Sequence, residues 1–332
     1  MTGVERADWE ESQFVAALEP LRREGVMDAA RRQISGGPPA RIMDAAPLGP
    51  DDRRVFKKTT FDGAIFQGDA SFAGAIFEGD AHLDKATFKG KADFRKATFK
   101  GDAHFPEAEF RSADFSEAIF GRAAHFPGVT VDGDARFREA SLKEAFVIGP
   151  MLVRGALVLD GASFSGIEIR ASADRLVCQR TRFHGPANLR IRWAEVALDG
   201  AVFESASLLG SSEAFDALHK HERDQPKHPL LDRLNEVGKL EREWRNDCSS
   251  SGSEEQPRLI SLRGGNVRNL VVSDVKSRRL LVRGSGEPRR ATQRGLTNVS
   301  AGAGVDEKQG IMARHKAMVA PTDRGGRASL AR

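Results

Sequence analysis

The chain has 332 residues, with 51 Lys+Arg against 47 Asp+Glu, 20 Phe, no Tyr and two Cys. Such a length supports one large domain or two ordinary ones, each able to bury a core, and Cys178 and Cys248 are too few for a disulfide-stapled secreted scaffold. No run of about 18 apolar residues is present to span a membrane, and the acidic, polar stretch Met1 to Gln13 is no signal peptide, so a cytoplasmic location is expected.

At the N-terminus, Ala7–Gln33 reads as an amphipathic helix with Trp9, Phe14, Leu18 and Leu21 on one face. Gly36–Asp52 is rich in Gly, Pro and Asp and reads as linker. The two together form an N-terminal segment over residues 1–52.

Fourteen of the 20 Phe fall between Phe56 and Phe137, a local enrichment that calls for a repeat search. From Phe61 to Leu142, sixteen large apolar residues follow one another at gaps of five or six: Phe61, Phe66, Phe72, Phe77, Leu83, Phe88 and onward. Two positions before each stands Ala, with Thr59 and Val129 as the exceptions. The gaps mostly alternate, giving a dominant period of eleven. A helix is ruled out by Gly63, Gly68, Gly74, Gly79, Gly90 and Gly101, each of which would weaken it by about 1 kcal/mol. A long strand would need apolar spacing of two. What remains is a solenoid of short faces joined by turns. The small Ala and the large Phe, two apart, point inward together, and Gly and Asp occupy the turns. A stack of Phe rings gains from offset stacking, whereas a Tyr hydroxyl inside would lack a partner.

The pattern A-x-F-x-x, clearest at Ala92-Asp93-Phe94 and Ala113-Asp114-Phe115, resembles the pentapeptide-repeat family, and the G-D-A variant resembles a Phe-rich subclass common in actinobacteria. The resemblance implies an all-β solenoid: a right-handed quadrilateral β-helix in which four faces make one coil, here of 21–22 residues. It covers the regular segment 53–145 most strongly.

Residues 146–209 keep the signature at Gly161-Ala162-Ser163-Phe164, Ala187-Asn188-Leu189 and Ala201-Val202-Phe203, and read as about three degenerate coils with Cys178 in the core. Segment 210–257 reads as a helical insertion, with helix over Glu213–Trp244 broken near Pro226 and Pro229, then a flexible loop at Ser249–Gln256. Residues 258–275 return to strand character, with Leu262, Val267 and Val272 five apart. Residues 276–332 have too few large apolar residues to bury a core and read as a disordered basic tail. From Arg258 to Arg332 there are 16 Lys+Arg and 5 Asp+Glu, so the net +4 of the chain is a −7 body plus a +11 end. Members of the resembling family usually continue the solenoid here, and longer ones end in membrane helices. The tail is therefore expected to be an out-of-frame or truncated end, with a basic arm for nucleic acid as the competing reading. Translating the other frames past the Val275 codon separates the two.

No GxxxxGK[ST], HExxH, CxxC or Gly-x-Ser-x-Gly occurs, so no catalytic, cofactor or metal residue is assigned and no enzyme is expected. Asp69, Asp80 and Asp102 read as turn acids. His82, His104 and His125 precede the inward residues of the fifth, ninth and thirteenth faces and are expected to stack about 5 Å apart, a line that suits a tetrahedral metal poorly. His219, His221 and His228 read as a solvated helix end. Lys85, Lys89, Lys91, Arg95, Lys96 and Lys100 form a basic band after an acidic one. The function expected is a non-enzymatic scaffold for a protein partner. The resemblance adds an alternative, a DNA mimic that binds DNA gyrase, but residues 59–145 carry 15 acids against 11 bases, a thin excess for mimicry.

Overall fold

The computed structural model describes residues 11–34, 38–49, 51–144, 146–215, 229–247 and 256–277. The expected disordered tail and the His219, His221 and His228 cluster lie outside the described residues, apart from Lys276 and Ser277 at the start of the tail. So do Trp9, Pro226, Cys248 and most of Ser249–Gln256.

Short strands stack in parallel on four faces. The first face runs from Val26–Asp28 through Lys58–Thr60, Ala81–His82, Ala103–His104 and Ala124–His125 into the long strand Phe146–Val158. The second begins at Gln33–Ile34 and passes Ile65–Phe66 to Thr87–Asp93. The third begins at Ala70–Ser71, and the fourth at Val55–Phe56, continuing through Ile76–Phe77. The result is a β-solenoid of about seven turns between residues 58 and 203, with an interrupted turn before and after. Partners on the first face lie 22 residues apart at Thr59↔Ala81 and 20 apart at Asn188↔Leu208. The coil thus shortens in the degenerate half.

The expected Phe columns form the core. On the third face, Phe72, Phe94, Phe115 and Phe137 stack at centroid distances of 5.3, 4.9 and 5.0 Å. On the fourth, Phe56, Phe77, Phe99 and Phe120 stack at 5.2, 4.8 and 5.0 Å. Between faces the rings meet edge-on, as Phe94 and Phe105 do at 84°. Rings in these two columns therefore have face contacts along the axis and edge or tilted contacts across it, arrangements the ring quadrupole favours. Cys178 is fully buried in the same core, and burial pushes its thiol pKa up.

The alternation of five and six residues has a physical cause. Corners after the first and third faces are five-residue steps turned by a left-handed residue: Gly63 at φ 64°, but Lys85 at 58° and Lys96 at 59° in equivalent places. Corners after the second and fourth faces take an extra residue, except the five-residue step from Phe110 to Phe115, and the glycines Gly79, Gly90 and Gly101 at such corners lie against the coil before them. A Cβ on Gly90 would stand 2.4 Å from the backbone nitrogen of Asp69. The accompanying aspartates reach to the next coil rather than into their own turn: Asp69 Oδ1 accepts from the Lys91 amide at 2.8 Å, and Asp80 Oδ1 from the Asp102 amide at 2.9 Å.

Three departures from the expected elements have local causes. The N-terminal helix, α1 (Glu11–Glu24), stops at Gly25 rather than continuing to Gln33. Gly25 takes φ 70° and donates its amide to Leu21 O, a left-handed helix cap. Val26–Asp28 and Gln33–Ile34 then enter the sheet, so the first coil begins inside the segment expected to be helix. α1 buries Phe14, Leu18 and Leu21 in the same continuous core. The expected linker holds α2 (Pro38–Ala45), which buries Ile42. Its prolines occupy the first helical turn, where their missing N–H groups cost nothing. In the insertion, Pro229 opens a helix rather than breaking one: α3 (Pro229–Asp247).

α3 lies along the stack. Near its start Arg233 donates to Gly128 O at 3.1 Å and pairs with Glu109 at 3.2 Å. Midway, Val237 and Trp244 pack with Leu152 and Phe215. Near its end Arg245 donates to Ala173 O at 3.2 Å. These contacts fall on successive coils, within the roughly 28 Å that a 19-residue helix spans. After it the stack resumes: Arg258–Ser261 pairs with Glu195–Ala197, and Lys276–Ser277 pairs with Arg258–Ser261, two residues beyond the expected end at Val275. Leu262, Val267 and Val272 pack on the core but stay partly exposed.

Candidate functional site

Strand alternation turns the residue before each inward side chain to the outside. On the first face this places His82, His104 and His125 in one line, paired in register through Ala81, Ala103 and Ala124. Their rings stack at 5.0 Å and 4° for His82 and His104, and at 5.1 Å and 24° for His104 and His125. All three are half-buried. Burial, then the neighbouring His82, holds His104 below the usual histidine pKa. Burial, then His104, does the same to His125. The folded state therefore resists protonating them. The stability they contribute is present above the ordinary histidine value and is lost as the pH falls through the lowered one.

At one end the ladder meets two acids that sequence reasoning assigned only to an acidic band. Asp84 follows the inward Leu83, so it emerges on the same side as His82. Asp62 occupies the matching position one coil earlier, and the Asp84 amide donates to Asp62 Oδ1 at 3.1 Å. One donor atom from each of Asp62, His82 and Asp84 lies within 4.8 Å of the other two. Asp84 Oδ1 is shut from solvent and has no hydrogen-bond partner. Burial and the facing Asp62 carboxylate, reinforced by Glu107, push the Asp84 pKa up to about 6 against the opposing pull of His82 and Lys85. Lys85 is turned to Glu107 instead, at 3.6 Å. In the following coils the Asp84 position is taken by Pro106 and Pro127, so the acid pair does not recur down the ladder. The signal for it was available: Asp62 and Asp84 are 22 apart, one coil of the period.

This geometry predicts a pH-dependent substitution. A carboxyl whose folded pKa is raised favours folding below its unfolded value, and that contribution is lost as the pH rises through about 6. Asp84→Asn is expected to stabilise metal-free protein by about 1–2 kcal/mol at pH 7.5, after discounting for partial exposure. The advantage shrinks to nothing near pH 4. Urea titrations at several pH values check this, and a constant difference across the range would contradict it.

The expected basic band is not a patch. Its residues ring the solenoid and several are matched coil to coil, with Lys91 to Asp114 at 3.9 Å, Lys96 to Glu117 at 3.6 Å and Lys100 to Glu78 at 3.3 Å. Arg95 pairs within its own turn with Asp93 at 2.7 Å. Farther along, Arg122 meets Asp102 at 3.2 Å and Arg154 meets Asp132 at 3.1 Å.

A second cluster went unrecognised in the sequence. Glu241 of α3 is 1% exposed. It accepts from Ser172 Oγ, from Arg192 Nη1 at 2.9 Å and from Trp193 Nε1 at 3.1 Å. Arg245 stacks over Trp244 at 3.7 Å and over Trp193 at 5.0 Å. This cluster fixes the helix to the coils. Between α3 and the second face runs a groove of about 620 Å³, in which Lys89, Arg111 and Arg154 face Glu109, Asp132 and Glu236.

Against known families, a model described as pentapeptide repeats in nine copies matches residues 55–98 and 94–141. Residues 55–141 belong to the pentapeptide-repeat family. Among curated proteins nothing matches, and no solved structure matches either. The matched span holds most of the Phe stacks and the regular corners. The solenoid nevertheless begins earlier, at Val26, and continues to Ser277; past the match its fourth face keeps Phe164, Phe183 and Phe203, while the other faces fill the core mainly with aliphatic residues. No helix among the described residues is long and apolar enough to cross a membrane.

Proposed function

We propose that this pentapeptide-repeat chain is a non-enzymatic scaffold that binds a protein partner in the cytoplasm. The observation that carries the reading is the stack itself: outward side chains recur once per coil on a core whose rings repeat every 4.8–5.2 Å on the fourth face. Such a rod displays charge at fixed spacing, as solenoids do. The alternating pairs along its corners make each edge distinct: Lys85 with Glu107 on one, Lys96 with Glu117 on another.

The test uses the full chain as bait, with charge reversal on one edge at a time. A partner lost on Lys96→Glu but retained on Lys85→Glu supports an edge-specific scaffold. Failure to recover a specific partner, or one indifferent to every edge, counts against it. The gyrase-binding alternative is weaker, because a duplex mimic needs unbroken acidic rows and here the acids of the corners alternate with lysine and arginine. A supercoiling assay showing neither inhibition of gyrase nor protection from a quinolone removes it.

A further inference from the structure

We propose that Asp62, His82 and Asp84 form a binding site for a divalent transition-metal ion of the zinc class. Three donor atoms already lie within 4.8 Å of one another, and they come from two successive coils. Asp84 Oδ1 is buried without a partner, an arrangement that a cation at this point resolves and that water does not reach. The backbone presets the other two ligands. The Asp84 amide holds Asp62 Oδ1 at 3.1 Å, and stacking on His104 at 5.0 Å fixes the plane of the His82 ring. The nearby Lys85 ammonium is engaged with Glu107.

The donor set selects the ion. One imidazole nitrogen with two carboxylates suits zinc, cobalt or manganese. Calcium wants six to eight oxygens and is disfavoured. Three protein ligands leave a fourth position for water. The site differs from the histidine line considered from the sequence: it uses one rung of the ladder and the acids beside it. His104 contributes by stacking. With Pro106 and Pro127 at the next two Asp84-equivalent positions, one site per chain is expected.

The experiment titrates full-length, chelator-treated protein with Co(II) and Zn(II) at pH 7.5. His219, His221 and His228 are replaced by Gln throughout, so that they contribute no binding. Saturable uptake of one ion per chain is expected, with visible ligand-field bands for Co(II) and a melting temperature that rises with Zn(II). Asp84→Asn and His82→Ala are each expected to weaken binding about tenfold or more, whereas His104→Ala retains the stoichiometry. Circular dichroism confirms that each variant is folded. A second readout needs no variant: paramagnetic Co(II) should broaden the amide signals of Asp62, His82 and Asp84 first. Absence of saturation, equal affinity in Asp84→Asn and His82→Ala, or broadening centred elsewhere overturns the site.

Discussion

Phe94→Ala is expected to destabilise the solenoid by about 3–5 kcal/mol, the cost of a large ring removed from a core that cannot collapse around the gap. Phe94 is fully buried. It stacks on Phe72 at 5.3 Å and on Phe115 at 4.9 Å, and meets Phe88, Phe99 and Phe105 at its edges. Its neighbours are held by backbone pairing to the coils on either side, so they are poorly placed to close the cavity. The matched control is Ile119→Ala on the outside of the fourth face. That residue is 39% exposed, and its loss is expected to cost about 1 kcal/mol or less. Guanidinium unfolding followed by circular dichroism measures both. A Phe94 variant within 1 kcal/mol of the wild type would mean that the ring columns contribute far less than their burial implies.

The second large effect concerns α3. Glu241→Ala leaves the Arg192 guanidinium buried beside an empty place, and breaking one side of a buried pair typically costs about 3–5 kcal/mol. The loss should be local. The solenoid core from Phe56 to Phe203 does not depend on Glu241, so hydrogen exchange is expected to rise over residues 229–247 while amides of the Phe columns keep their protection. Equal loss of protection in both regions would show that the helix and the coils unfold as one unit. Unchanged exchange over the helix would show that Trp244, Val237 and Arg233 suffice to hold it.

The solenoid was legible because one signal, Ala two positions before a large apolar residue that is mostly Phe, repeats at nearly every face of the regular half. The four-sided coil and the ring stacks follow from that period once the family resemblance supplies four faces per coil. Position 61 stands over 83, and 72 over 94. The first coil was not legible. Val26-Met27-Asp28 and Gln33-Ile34 are too short to show a period, and they follow a helix whose apolar spacing runs on past Gly25. The glycine roles were half legible: Gly63 turns the chain with a positive φ, whereas Gly90 is there because a Cβ would strike the coil before it. The α3 anchor was illegible for a different reason. Arg192 and Glu241 are 49 residues apart, across an insertion that breaks the repeat, so no period connects them. The acid pair beside His82 lay within reach of the coil arithmetic but was hidden among turn acids of the same type.

The placement of α3 bears on the order in which the molecule is built. A repeat stack alone grows by adding one coil to the last, each touching only its neighbours. Here the chain leaves the stack after Ser211, docks a helix back over coils already finished, and returns at Arg258 to continue from the strand Glu195–Ala197. The strands at 258–277 therefore close an excursion of some 45 residues, with its added entropic penalty. They should be the latest part of the solenoid to assemble after synthesis and the earliest to fray. A chain interrupted before residue 258 would still complete every turn that the Phe columns support.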